Sequence, residues 1–599
     1  MGAPPATTAI GSRCHPAERD RTMTFRSSRV RRTAALLSTG TLFVAGALGG
    51  MSAAADTPRV LRVGTWHGTK GSFTTIQSAV DAAKPGDWVL VGPGDYKEVG
   101  DYTSYKPTAA SDAKAGVWID TPNVRLRGMN RRTVVVDGTK AGSAPCSNKA
   151  ADQVLGPVVG GKPKGRNGVE VWKANNVSVE NLTVCNYLSG SGGGGNEIWW
   201  NGGDGSAKVG GFGYFGDYLT ATSTYFGDES VAASYGIFSS NWSGGTWDHS
   251  YASNFSDSGY YIGACQQVCD QVMTHAWAEY SALGYSGSNS GGSLVIKDSE
   301  FDHNEDGFDT NSQNGDNPPP QDGACPGNAI SPITHTHSCW VFMNNYVHDN
   351  NDPNVPATGS AAAGPVGTGM SLSGGRNDTV MNNRFVNNNA WGTIVVPYPD
   401  GGPPCTGGTL TALACLYDTS GIAIINNTYS HNGSFGNPSN GDIAETRLQA
   451  GPSNCFSGNT EANGGSASTS PTGLETLEST CGGTVPPDTN PPFLAEVACD
   501  SQASIGPVGG NSACLPTDNY PRRTKVVMHA LPASLTTMPN PCAGVPTNPW
   551  CPAPAASLPP SAASHALATT GRSPAVPVAG LLVVLLAATT WRTRRRFTR

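Results

Sequence analysis

Charge is scarce in this chain: Asp, Glu, Lys and Arg make up only 14% of its 599 residues, where about 25% is usual for a soluble domain. With 76 glycines and 44 prolines, that scarcity argues against a helical protein and for a turn-rich β fold. Disorder is excluded as well, because Val, Ile, Trp and Tyr recur in short regular runs. The leucine ladder of a leucine-rich repeat is lacking, and so is the roughly 40–45-residue, four-strand period of a β-propeller. The close cysteine pairs lack the paired C-x2-C spacing of a structural zinc site. Basic residues are sparse in the body of the chain. Setting aside seven arginines and two acids in residues 1–55, and six arginines in 572–599, turns the net −7 into about −18 for residues 56–571. Such a surface repels phosphate backbones, which excludes nucleic acid as a partner, and suits divalent cations.

The two ends are the exceptions to this sparse, acidic character. From Met23 the chain carries Arg26, Arg29, Arg31 and Arg32, then an apolar stretch from Ala34 to Met51, then Ala53-Ala54-Ala55 before Asp56. A basic region, an apolar region and a small-residue cleavage site predict a signal peptide, removed after Ala55 in a protein whose start is Met23. Of 15 cysteines, 14 follow Met23, an even number suited to disulfides in an oxidising compartment. Close spacing suggests local staples of loops: Cys265 with Cys269, Cys325 with Cys339, Cys405 with Cys415, Cys499 with Cys514, and Cys542 with Cys551. At the other end, residues 567–571 read Leu-Ala-Thr-Thr-Gly, followed by an apolar run from Ala575 to Trp591 and an arginine-rich tail. The apolar run is just long enough to span a thin hydrocarbon layer, with the arginines on the cytoplasmic side. This C-terminal stretch resembles the L-A-x-T-G sorting signal of Gram-positive, in particular actinobacterial, cell-surface proteins. The resemblance implies that a sortase cleaves between Thr570 and Gly571 and transfers the protein to peptidoglycan. The expected location is therefore the cell surface, through the wall or a C-terminal membrane segment.

Between the ends a repeat is legible. Gly236, Gly259, Gly284 and Gly307 open comparable segments at a spacing of roughly 23–25 residues, and Gly369 and Gly392 repeat it. A second strand in each turn ends in a polar pair, as in Ile296-Lys-Asp-Ser299, Phe342-Met-Asn-Asn345, Val380-Met-Asn-Asn383 and Ile424-Ile-Asn-Asn427. A third follows, as in Phe301-Asp-His-Asn304, Val347-His-Asp-Asn350 and Tyr429-Ser-His-Asn432. Three short strands per turn with Asn at the corners predict a β-solenoid, because Asn tolerates left-handed backbone and can stack in hydrogen-bonded ladders. Ahead of the repeat, Ile76, Ala79, Val80 and Ala83 share a helical face, Pro85-Gly86-Asp87 stops the helix, and Trp88-Val-Leu-Val91 reads as a buried strand. This resembles the capped start of pectate-lyase-like proteins. The resemblance implies an all-β, single-stranded right-handed parallel β-helix over residues 56–465, in about 12 turns of roughly 23–25 residues. With strands ~4.8 Å apart, such a rod runs roughly 50–60 Å. Residues 312–337 and 351–367 read as loops leaving the coil, and Pro-rich residues 466–566 read as a disulfide-stapled stalk.

Alternation about each glycine predicts which side chains face outward. Phe308, with Ile237, Tyr260, Ile262, Met370 and Leu372, is read as core. Tyr235, Phe238 and Tyr261 fall on an outer face beside Asp306, Asp309 and Asn311, with Glu170, Glu197, Trp199 and Trp200 extending the same face. Exposed rings beside carboxylates suit a polysaccharide: Tyr235, Phe238, Tyr261 and Asn311 as binding residues, Asp306 and Asp309 as catalytic acids. Asn304-Glu-Asp-Gly-Phe-Asp-Thr-Asn311 is similar to the N-T-D-G-x-D motif of polygalacturonases, and that resemblance implies a carboxyl pair cleaving a glycosidic bond. No adjacent Asp-Asp and no Gly-His-Gly accompanies it. A lyase would instead hold Ca2+ among Asp302, Asp306 and Asp309, with Arg376 or Lys297 as base. Turn capping by the same Asp and Asn residues is the plain structural reading. His335-Thr-His337 has metal-ligand spacing but lies in an irregular loop. Two functions stand side by side: a polysaccharide lyase or hydrolase, and a non-catalytic adhesin or glycan-binding rod.

Overall fold

A computed structural model describes residues 57–100, 113–314, 319–412, 414–503 and 514–553. The chain winds into a right-handed parallel β-helix. Each coil lays down three short strands, for example Tyr235–Ser240, Gly245–Asp248 and Tyr251–Ser253. Coil on coil these build three parallel sheets of eleven, twelve and eleven strands, here called sheets 1, 2 and 3 in that order. The right hand is the one that parallel crossovers of twisted strands require.

Register is kept across insertions. In sheet 1, Ile198, Ile237, Tyr260, Tyr285 and Phe308 pair in succession, all fully buried. Phe308 stacks on Tyr285 at 4.2 Å and meets Phe301 and Phe342 edge-on or tilted, so the core is a pile of rings rather than a loose apolar filling. Corners are where the repeat's asparagines act. Asn345, Asn383, Asn427 and Asn459 form a buried ladder: each side-chain oxygen accepts from the previous rung, and each amide donates to the next rung and to a strand carbonyl. Asn304, Asn350, Asn388 and Asn432 form a second ladder at the other corner. A carbonyl and an amide on one short side chain are the means of satisfying inward-turned backbone at a bend.

Both ends of the coil are closed. The expected capping helix spans Ile76–Ala82, with Thr75 as N-cap. Its Gln77 amide accepts from the Trp118 N–H at 2.6 Å and donates to the Trp118 carbonyl at 3.1 Å, covering the edge strand of sheet 1. At the far end, Glu475 receives the last ladder rung, Asn459.

Seven disulfides pair all the described cysteines. The five expected bonds form: Cys265 to Cys269, Cys325 to Cys339, Cys405 to Cys415, Cys499 to Cys514, and Cys542 to Cys551. Two more distant pairs, Cys146–Cys185 and Cys455–Cys481, join them. The five close pairs are local staples, as expected, and several of them tie a loop to a packed strand. Cys269 and Cys415 are fully buried in strands Val268–Thr274 and Cys415–Tyr417. Cys339 directly precedes strand Trp340–Met343, and its N–H donates to the Gly323 carbonyl. Cys551 is buried in an apolar cluster with Trp88, Leu90 and Trp550. Short sequence separation shows which cysteines can meet, but packing decides what their bond secures.

The region read as a stalk does not stand clear of the rod. Helix Pro491–Ala503 covers the last strands of sheet 1, burying Phe493 and Cys499 against Trp391, Ile394 and Ala444. Residues 514–553 then run back along the coil as a strap. Arg523 reaches Glu305, His529 stacks on Tyr280 at 3.7 Å, the Met538 N–H donates to Asn181, and Trp550 donates to the Thr69 carbonyl at the opposite end. Composition shows only proline and cysteine here; the coil's exposed corners supply the hydrogen-bonding partners that fix the path. No helix among the described residues is long and apolar enough to cross a membrane. The segment expected to be a signal peptide, Thr570, Gly571 and the apolar run after them lie outside the described residues.

Candidate functional site

Sheet 1 turns one row of side chains outward in strict register: Trp118, Glu170, Trp199, Phe238, Tyr261, Ser286, Asp309 and Ser371. Flanking rows carry Tyr235, Ser258 and Asp306 on one side, and Asn201, Ser240, Ser288, Asn311 and Ser373 on the other. The structure therefore brings Tyr235, Phe238, Tyr261, Asp306, Asp309 and Asn311 onto one outer face. Trp199 and Glu170 join them. Trp200 and Glu197 do not: both are fully buried, Trp200 among the core rings and Glu197 at the position that glycine holds in later coils. A shift of one residue along a strand exchanges the two faces, which is why Trp199 and its neighbour part company.

The aromatic stretch is a pile with its edges outward. Phe238 lies between Trp199 at 5.0 Å and Tyr235 at 4.5 Å, both nearly parallel to it. Its faces are thus occupied, and the row offers a ring-edge rail instead of a set of open stacking platforms. Tyr261 stands perpendicular to Phe238 and folds over Gly263, where a Cβ would sit only 2.4 Å from the Tyr261 hydroxyl.

The acids form one connected network. Ser371 Oγ lies 2.8 Å from Asp306 and 2.7 Å from Asp309. A hydroxyl has one hydrogen to give, so only one of these carboxylates can accept it; the other contact needs a carboxyl proton. Burial, and then the Asp309 charge, hold Asp306 well above the usual carboxylate range, and burial also raises Asp309. Asp306 therefore keeps the proton, and Asp309 accepts from Ser371, from Asn311 at 2.8 Å and from Ser373. Asp257, which no motif marks, accepts from the Tyr235 hydroxyl at 2.8 Å and is pushed up to about 6, mainly by burial. Tyr398, brought over the sheet by the loop after Val396, is pushed up to about 12 by burial and by the charge of Asp309. Asp309, Asp257 and Tyr398 are half-buried, and Asp306 is sealed completely beneath the turn that contains Gly364. Asp306 consequently cannot touch a substrate, and its reading as a catalytic residue is replaced by that of a buried acid joined to Asp309 through Ser371.

The calcium set does not assemble. Asp302 belongs to sheet 3, where it pairs with His303 and accepts from Trp277 at 2.6 Å, so it shares no site with Asp306 and Asp309. Ca2+ needs several converging oxygens, and a proton-sharing pair with one sealed member does not provide them. Lys297 points from sheet 2 to Asp298, away from this face, and Arg376 holds the Gly407 carbonyl. His337 stays in its loop, against the Ala329 carbonyl.

No protein-family model matches the chain, and no curated protein does. Among solved structures, the A-module of mannuronan C-5 epimerase AlgE6 from Azotobacter vinelandii is 15% identical, with a TM-score of 0.39, over 66% of this chain and 90% of that one. An alginate lyase from Paenibacillus sp. str. FPU-7 is 11% identical at TM-score 0.31, over 68% and 97%. Pectate lyase Pel9A is 13% identical at TM-score 0.31, over 71% and 82%. Likeness at this level concerns the winding of the chain alone; the site rests on its own geometry.

Proposed function

We propose that sheet 1 binds a polysaccharide along its outer face and that Asp309, with Asp257 and Tyr398, carries out acid–base chemistry on it. The observation that carries this reading is the relay from Asp306 through Ser371 to Asp309. A sealed, protonated acid placed one hydroxyl away from a half-buried carboxylate, itself raised by burial, suits that carboxylate to take or return a proton. Tyr398, a phenol facing the same acids, is the natural partner of opposite role. The ring-edge rail from Trp199 to Tyr261 would guide the chain towards them. Such a proton pair suits cleavage by elimination, hydrolysis, or inversion beside a carboxylate. The seven disulfides support export, and the sequence of residues 567–599 supports anchoring at the cell surface.

The test is to screen acidic and neutral polysaccharides with wild type, Asp309→Asn and Tyr398→Phe, reading both product and affinity. Product from wild type, lost in both variants with affinity kept, is the expected result. Equal turnover in all three proteins overturns the assignment. Glycan binding by all three, with no product from any, makes the protein a binding rod.

A further inference from the structure

The corner between sheets 2 and 3 carries a second cluster that the sheet 1 site does not use. Residues following the sheet 2 strands adopt left-handed backbone coil after coil: Tyr218, His249, His275, Asp298, Asn344, Asn382 and Asn426, all with φ between 45° and 59°. Neighbouring coils stack these side chains, so His249 lies on His275 with ring centroids 4.7 Å apart, although a whole coil separates them in sequence. Asp248 and Asp217 pair in adjacent strands of sheet 2 just before the corner.

Ligand atoms of Asp248, His249 and His275 converge there, all within 4.8 Å of one another, and Asp217 flanks them. Asp248 Oδ1 is 2.8 Å from His249 Nδ1 and 2.8 Å from His275 Nδ1, and Asp217 Oδ1 is 3.7 Å from His249 Nδ1. Two of these atoms are buried without a hydrogen-bond partner: Asp217 Oδ1, and His249 Nδ1, whose approach to Asp248 is short but not aligned as a hydrogen bond. Asp217 Oδ1 is thus a buried acceptor with no hydrogen bond made to it, which a cation held beside His249 would satisfy. The contact distances of 2.8–3.7 Å bracket the roughly 3.3 Å between ligands held tetrahedrally at about 2.0 Å from a metal. We propose that Asp217, Asp248, His249 and His275 form a site for a divalent late-transition cation of the Zn2+ class. Two imidazoles favour that class over Ca2+ or Mg2+, and two carboxylates supply the neutralising charge. The cluster opens outward, since the His249 and His275 side chains are 40% and 52% exposed, so a cation could enter without the coil opening. Arg131 fixes the corner by donating to the His249 carbonyl at 2.9 Å, which holds the ligands in place whether or not metal is bound.

Asn is a conservative replacement at this corner, because Asn344, Asn382 and Asn426 hold the same place and backbone conformation in later coils. Tag-free protein is stripped with chelator and titrated with Zn2+ against a chromophoric competitor, alongside His249→Asn/His275→Asn and Asp217→Asn. The expected result is one Zn2+ per wild-type chain, at least tenfold weaker binding in Asp217→Asn, and a greater loss in the double variant with its circular dichroism unchanged. Wild type that takes up no Zn2+ at micromolar concentration overturns the proposal. So does a double variant that binds as tightly as wild type, which would put the metal elsewhere.

Discussion

Asn383→Ala tests the corner ladder directly. Asn383 is 1% exposed and is bonded to the coils on either side. Its Oδ1 accepts from the backbone N–H of Asn345 at 2.9 Å and from the Asn345 amide at 3.1 Å. Its Nδ2 donates to the Phe342 carbonyl at 3.0 Å and to Asn427 Oδ1 at 2.9 Å. Alanine leaves the Asn345 N–H buried without an acceptor, a penalty of about 1–3 kcal/mol, and removes further net bonds of about 1 kcal/mol each. The Asn345 amide keeps its bond to the Ile296 carbonyl, which limits the damage. The expected loss is about 3–5 kcal/mol. Urea denaturation followed by circular dichroism should show a lower midpoint at unchanged slope. Asn383→Asp separates the roles of the two ends of the amide. Aspartate keeps an acceptor for Asn345 but sets oxygen against the Phe342 carbonyl and buries a charge, so it should cost more than alanine at pH 7 and recover part of that loss on acidification. A loss below about 1 kcal/mol for alanine, or an aspartate indifferent to pH, would refute the ladder as a source of stability.

Three further outcomes follow from the same geometry. Asp257 has its carboxyl raised to about 6 in the fold, so it favours folding below the unfolded value near 4 and loses that contribution as pH rises through about 6. Asp257→Asn keeps the Tyr235 hydrogen bond and should raise stability at pH 8 by about 1–2 kcal/mol with little change at pH 4, while lowering turnover if the acid–base assignment holds. Phe308→Ala opens a cavity in the ring pile and should cost about 3–5 kcal/mol, read as a shift in the denaturation midpoint; a wild-type midpoint would mean the inward and outward rows are exchanged. Trp550→Ala removes the anchor that holds the strap to Thr69, and limited proteolysis should then cut within residues 530–553 while the coil survives; an unchanged digestion pattern would show the strap is held elsewhere.

The winding and the two faces are already written in the order of the residues. A period of roughly 23–25 residues places equivalent strands one above another, and strand alternation then decides that Phe308 points in and Asp309 out. Asn345, Asn383 and Asn427 announce their corners because few other side chains bond well at such a bend. These are local properties, repeated coil after coil, and a repeat makes local rules readable. Which outward residues remain open is a property of the folded chain as a whole. Asp306 is sealed by a turn near Gly364, the last strands of sheet 1 are covered by a helix from residues 491–503, and Tyr398 enters the site on an insertion. Where an insertion lands depends on the surface it finds, and no period encodes that. Asp302 groups with Asp306 and Asp309 by closeness in sequence, but a three-sided coil turns neighbours onto different sheets. The same coil brings His249 and His275 together from successive turns, because the separation of ligands in a solenoid is set by the stacking of coils and not by distance along the chain.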